Sequence, residues 1–186
     1  ATLSPSMDIL ESSNFERFLY YITGEDPERT AGLMKDLKST GKLTVNADEF
    51  KRAQANFAGA YIDDEGTKAV IEQVYNSYGY LMDPHTAVAM GAYMANLQEH
   101  PEDGARHTVI ASTAHPFKFP PAICGALDIK EGDSPYESLD NIAAVTGVRF
   151  PKQLAALKNK ELRFTRSIPK EDMEAEILSF VDSFSK

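Results

Sequence analysis

The sequence predicts an α/β chain that is rich in helices and poor in strands. Three observations carry the prediction. Thr108–Ala111 is a short apolar run that stops abruptly at Ser112-Thr113-Ala114-His115-Pro116, the pattern of a strand buried on both faces. Hydroxyls and an imidazole at the carboxyl end of such a strand are what open α/β sheets use to hold ligands. Most of the remaining chain shows apolar residues at helical spacing between cap-type residues and glycines.

The elements follow in order. Ser13–Thr23 carries Phe15, Phe18, Leu19 and Ile22 at helical spacing, with Ser13 or Asn14 as cap and Gly24 as stop. Pro27–Ser39 is a second helix, with Asp26 as cap, Pro27 at its first position and Gly41 at its end. Leu43–Val45 reads as a short extended piece. Asn46 caps a helix through Phe57, and Glu49 three residues on completes a box-like signature. Asp63–Tyr78 is a helix with Val70, Ile71, Val74 and Tyr75 as its apolar stripe and Gly79 after it. Asp83 and Pro84 open a helix through about Gln98, whose small residues on several faces predict close packing on neighbours. Pro101–Gly104 is a turn. Pro120 or Pro121 starts a short helix through Leu127, and Ser138–Val145 and Pro151–Asn159 are further short helices. Pro169–Ser183 closes the chain, with Met173, Ile177, Phe180, Val181 and Phe184 as a buried stripe. A lone strand cannot satisfy its own backbone. Partner strands are therefore expected from Leu3–Leu10 and Ile62, or from sequence outside these residues.

Composition narrows the class. With 186 residues, 42% hydrophobic and 25% charged, the chain has the balance of one globular domain with a real core. No segment has the uninterrupted apolar length of a membrane span. The net charge of -9 argues against a nucleic-acid partner, because such binders concentrate Lys and Arg. The single cysteine, Cys124, fits a reducing cytoplasm. The opening Ala1-Thr2-Leu3-Ser4-Pro5 has neither a basic nor an apolar leader region. It reads like the middle of a domain, as a fragment or processed product would.

Two constellations carry candidate chemistry. The hydroxyls of Ser112 and Thr113 could bind a ring nitrogen, a phosphate or a carboxylate; the alternative is a turn in which they cap the next helix. In Asp83-Pro84-His85-Thr86, capping explains Asp and Pro, and the first-turn amides could also receive an anion. His85, His107, His115 and Cys124 match no zinc spacing, so no metal is expected. There is no Gly-x-Ser-x-Gly elbow, and the 11 glycines form no phosphate-cradling loop. The acidic clusters Glu25-Asp26, Asp63-Asp64-Glu65 and Glu171-Asp172-Glu174 complement helix dipoles.

In their order, four segments resemble the carboxyl-terminal portion of the threonine synthase family. They are Leu3-Ser4-Pro5-Ser6-Met7-Asp8-Ile9, Phe57–Asp64, Gly79-Tyr80-Leu81-Met82-Asp83-Pro84-His85-Thr86-Ala87-Val88 and Ser112-Thr113-Ala114-His115-Pro116-Phe117-Lys118-Phe119. The resemblance covers nearly the whole chain. It implies a partial three-layer open sheet of the tryptophan-synthase β-like pyridoxal-phosphate fold, with a helical insert at about 13–57 and a helical tail at about 136–186. It implies a lyase of threonine biosynthesis that converts O-phospho-L-homoserine and water to L-threonine and phosphate, the cofactor acting as electron sink. Thr113, with Ser112 as second choice, would face the pyridine nitrogen. Ser4, Ser6, Asp8, His85 and His115 would belong to the active-site wall, and Lys118 is structural or substrate-facing. The family's Schiff-base lysine and glycine-rich phosphate cup belong to its amino-terminal portion, and neither motif is present here. The isolated chain is therefore expected to be inactive and to need that amino-terminal portion as its partner. The missing sheet partners also lead us to expect self-association. A non-catalytic interaction or regulatory module derived from the same fold is the alternative.

Overall fold

The computed structural model describes residues 1–163 and 165–184. It divides into two units, residues 1–150 and 151–186. Within the first unit run α1 (Ser13–Ile22), α2 (Pro27–Thr40), α3 (Ala47–Gln54), α4 (Asp64–Tyr78), α5 (Pro84–Glu99), α6 (Pro120–Ala126) and α7 (Pro135–Thr146). The second unit holds α8 (Lys152–Leu157) and α9 (Met173–Ser183). Among the described residues there is no strand.

The caps place most helices where the sequence puts them. Asp26 accepts from the Arg29 amide, Asp63 from Gly66 and Ser134 from Glu137. Asn46 and Glu49 form the expected reciprocal box at the start of α3. Gly41 and Gly79 end α2 and α4 with left-handed φ of 72° and 66°, a conformation that costs a residue with Cβ.

Two small cores result. Leu19, Ile22 and Leu33 are buried together between α1 and α2. Leu43 and Val45 lie against them without forming a strand. The other core lies where α4 packs on α5 and α6, and α6 on α7. Val70, Ile71 and Val74 from α4, Ile123 and Cys124 from α6, and Leu139 and Ile142 from α7 are buried there. Ala87 and Gly91 of α5 are also buried. A Cβ at Gly91 would lie 2.5 Å from Ile62 Cδ1 and 3.1 Å from its Cγ2. The small-residue character of α5 is thus explained by contact.

Three expectations are corrected. Thr108–Ala111 is irregular, and Val109 is 84% exposed; a strand exists only as a pair, and no described segment offers a ladder to it. Leu3–Leu10 is no partner strand either, because Pro5–Met7 forms a 3₁₀ turn closed by Met7 N–H to the Ser4 carbonyl at 2.8 Å. Met173, Ile177, Phe180, Val181 and Phe184 in and just after α9 are exposed, not buried. Periodicity shows which face of a helix seeks cover, but it does not supply the cover. No described helix is long and apolar enough to cross a membrane.

Candidate functional site

The site grows from the cap of α5. Asp83 is fully buried, and its Oδ1 accepts from the amides of His85 at 2.9 Å and Thr86 at 3.4 Å. The helix dipole favours its charge there. Its Oδ2 accepts from the Thr86 hydroxyl in a short hydrogen bond, and its Oδ1 also lies 3.1 Å from His85 Nδ1.

The other side of the imidazole fixes its tautomer. The Ser6 backbone N–H donates to His85 Nε2 at 3.2 Å. A backbone amide can only donate, so Nε2 is the unprotonated nitrogen and Nδ1 carries the hydrogen given to Asp83. The chain Ser6–His85–Asp83 therefore ties the Pro5–Met7 turn to the first turn of α5. A second bond, from Leu3 N–H to Asp64 Oδ1 at 2.9 Å, ties the same segment to the first residue of α4. Within the segment, Asp8 accepts from the Thr2 amide at 2.7 Å and the Thr2 hydroxyl at 2.9 Å. Those bonds, the amide first, hold the Asp8 carboxyl below its ordinary range. Ser4 is buried beside them, its Oγ 3.2 Å from Thr2 Oγ1.

Ser112 completes the cluster. Its Oγ lies 3.3 Å from the Tyr80 hydroxyl and 3.3 Å from Thr86 Oγ1. Tyr80 can donate to it, and because the Thr86 proton is already given to Asp83, Ser112 donates in turn to Thr86 Oγ1. Phe119 stacks at a tilt on the His85 ring with centroids 4.8 Å apart, and Lys118 Nζ stands 5.8 Å from the Phe119 centroid.

Of the residues singled out in the sequence, Ser6, His85 and Ser112 thus meet in one hydrogen-bonded network. Lys118 borders it through Phe119, and Ser4 and Asp8 stabilise the docked segment. Thr113 is exposed and stands outside this network. His115 is also exposed, and its Nδ1 accepts from the Phe117 amide at 3.2 Å as the cap of a 3₁₀ turn. Asp64, Tyr80 and Phe119 are participants that the sequence reading does not single out. Their contacts cross between segments, so no local spacing reports them. No group of three or more metal-ligating side chains gathers among the described residues.

In fold, the chain matches part of the crystal structure of PLP-bound threonine synthase from Brucella melitensis. The TM-score is 0.56 at 34% identity, over 72% of this chain and 28% of that one. Fold and site together define a class: the carboxyl-terminal region of a larger enzyme fold. Residues 86–177 match the family model described as threonine synthase, C-terminal, and over these residues the chain is similar to the carboxyl-terminal part of that family. Threonine synthase of Pseudomonas aeruginosa is 40% identical over 122 residues, 66% of this chain and 25% of that protein. Threonine synthase of Saccharomyces cerevisiae is 37% identical over 140 residues, 68% of this chain and 27% of that protein. Threonine synthase-like 1 of Homo sapiens is 37% identical over 130 residues, 70% of this chain and 17% of that protein. The chain spans about a quarter of the length of the first two of these relatives.

Proposed function

We propose that this chain forms the carboxyl-terminal wall of a pyridoxal-phosphate site that converts O-phospho-L-homoserine and water to L-threonine and phosphate. The supporting observation is the network itself. Ser6, Asp83–His85–Thr86 and Ser112 come from three separate motifs of the family resemblance, and hydrogen bonds gather them at one place. The donor set fits the cofactor. Ser112 has a hydroxyl beside Tyr80 and Thr86, and Thr113 next to it is exposed. A neutral hydroxyl can donate to a pyridine nitrogen without forcing a proton onto it. When bound, pyridoxal phosphate supplies the electron sink for the reaction. The chain's own residues orient the ring and shape the wall, with Ser4, Ser6, Asp8 and Lys118 at or near its surface.

In this reading the Schiff-base lysine and phosphate cup come from an amino-terminal portion of the same protein, which also supplies strands for a tryptophan-synthase β-like sheet. Residues 13–57 are a helical insert and 136–186 a helical tail. The test uses the full-length protein. It is expected to form threonine and phosphate from O-phospho-L-homoserine. Thr113→Ala and Ser112→Ala are expected to lower turnover about tenfold or more, as loss of one positioned hydrogen bond does. Unchanged turnover and cofactor spectrum in both variants would remove these residues from the site. The 186 residues alone are expected to show no covalent cofactor absorbance and no threonine formation.

The exposed apolar residues of α9 favour one second reading, a non-catalytic interaction module on the same fold. The same assay separates the two, because a module would leave the full-length protein without activity.

A further inference from the structure

We propose that His85 is a positioning residue whose neutral Nε2 holds the Pro5–Met7 turn against α5, so that protonation of the imidazole releases the turn.

The geometry separates the two ring nitrogens. Nδ1 faces Asp83 Oδ1 at 3.1 Å and Nε2 faces the Ser6 amide at 3.2 Å. On protonation Nδ1 remains a donor to Asp83, and the cap of α5 is kept. Nε2 becomes a donor instead, and it then confronts an amide that is also a donor. Only one bond is lost, and it is the bond to Ser6. The sign follows directly. Docking requires the unprotonated ring, so it is complete at higher pH and is lost as pH falls.

The charged groups around the ring come from every neighbouring element. Asp83 belongs to the α5 cap. Asp8, on the docked segment, is close enough to feel the His85 charge. Lys118 Nζ is 5.8 Å from the centroid of Phe119, which stacks on the ring. Asp64 of α4 holds Leu3 and remains as a second tether when Ser6 is released. Release is therefore local to the turn. His85 is 5% exposed while the Ser6 residue it holds is exposed, so a buried group sets the position of a surface one.

The consequence for substrate rests on the functional reading above; the docking itself does not. The Ser6 hydroxyl lies on the wall assigned to O-phospho-L-homoserine, so release of the turn is expected to raise KM with a smaller effect on kcat.

The experiment is hydrogen exchange of the Ser6 amide in the full-length protein, with steady-state kinetics on the same samples, over a falling pH series. In the unaltered protein, Ser6 protection is expected to fall about tenfold on protonation of the ring, the worth of one hydrogen bond, and KM is expected to rise in parallel. His85→Gln can accept from Ser6 through Oε1 and does not titrate, so its protection and KM are expected to be high-affinity and flat with pH. His85→Ala is expected to be unprotected throughout. Should His85→Ala fail to fold, judged by circular dichroism, the Gln variant and the pH series still decide. Equal Ser6 protection in all proteins at every pH would overturn the proposal. Protection that tracks His85 in a protein making no threonine would leave the docking standing and remove the functional reading instead. Protection that tracks His85 with a KM that stays flat would overturn the positioning role.

Discussion

At the scale of single residues, the chain uses buried carboxylates as organisers. Asp83 serves two amides, an imidazole and a hydroxyl at once. Glu49 is the parallel case in α3. It is 2% exposed, accepts from the Asn46 amide at 2.7 Å and takes a bidentate bond from Arg29 at 2.9 and 3.0 Å. Arg29 foremost, with the Asn46 amide assisting, holds the Glu49 carboxyl down at about 2 against burial. Its folded value lies below its unfolded one. The stabilisation is therefore present above the ordinary carboxylate range and is lost as pH falls from about 4.5 toward about 2. Glu49→Gln is expected to cost about 1–2 kcal/mol at neutral pH, from lost charge assistance and a weakened box. The difference from the parent is expected to shrink in acid; urea melts of both proteins at several pH values check this. Glu49 was legible in the sequence as part of a capping box. Arg29 was not, because the pair links two helices across 20 residues.

At the scale of elements, helices were read well because their signals are local. Caps, first-turn prolines and terminal glycines sit within a few residues of what they control, and α2, α4 and α5 begin where Asp26, Asp63 and Asp83 predict. The strand at Thr108–Ala111 was misread because its signal is conditional. An apolar run marks a preference for burial, and only a partner turns it into a strand. The site was half legible for the same reason. Ser6, His85 and Ser112 stood out within their motifs, while Tyr80 and Phe119 earn their places only after folding. Close approach is a further property invisible to periodicity. Gly91 meets Ile62 at a distance that admits a Cβ only if the Ile62 side chain shifts. Gly91→Ala is expected to destabilise by about 1–3 kcal/mol through overpacking, despite the better helix propensity of alanine. A paired Ile62→Ala change is expected to recover most of the loss, and thermal melts of the double-variant set measure the coupling.

At the scale of the whole molecule, apolar surface is left in several places. Phe15, Phe18, Phe50 and Phe57 line an open groove of about 760 Å³ on the first unit. Val109 stands in solvent, and so do Ile177, Phe180, Val181 and Phe184 in and beside α9. Exposed patches of this kind favour association. The chain on its own is expected to self-associate as concentration rises, and sedimentation velocity over a concentration series checks it. Changing Phe180 and Val181 to Ser is expected to weaken that association without shifting the melting of the first unit. A sharply monomeric chain at all concentrations would contradict the expectation.

The docked amino-terminal segment has a consequence for the order of folding. Its two tethers, Leu3 to Asp64 and Ser6 to His85, close loops of 61 and 79 residues. Closing a flexible loop of that size costs on the order of 4 kcal/mol in chain entropy, more than two ordinary hydrogen bonds return at about 1 kcal/mol each. The intervening helices remove much of that deficit. Once α1 and α2 have condensed around Leu19, Ile22 and Leu33, the span between Ser6 and His85 is no longer a random coil but a few stiff rods and short joints. Within these residues, the Leu3–Ser6 segment is then among the last to dock. The helices between its two ends act as an entropic shortcut that makes the docking affordable.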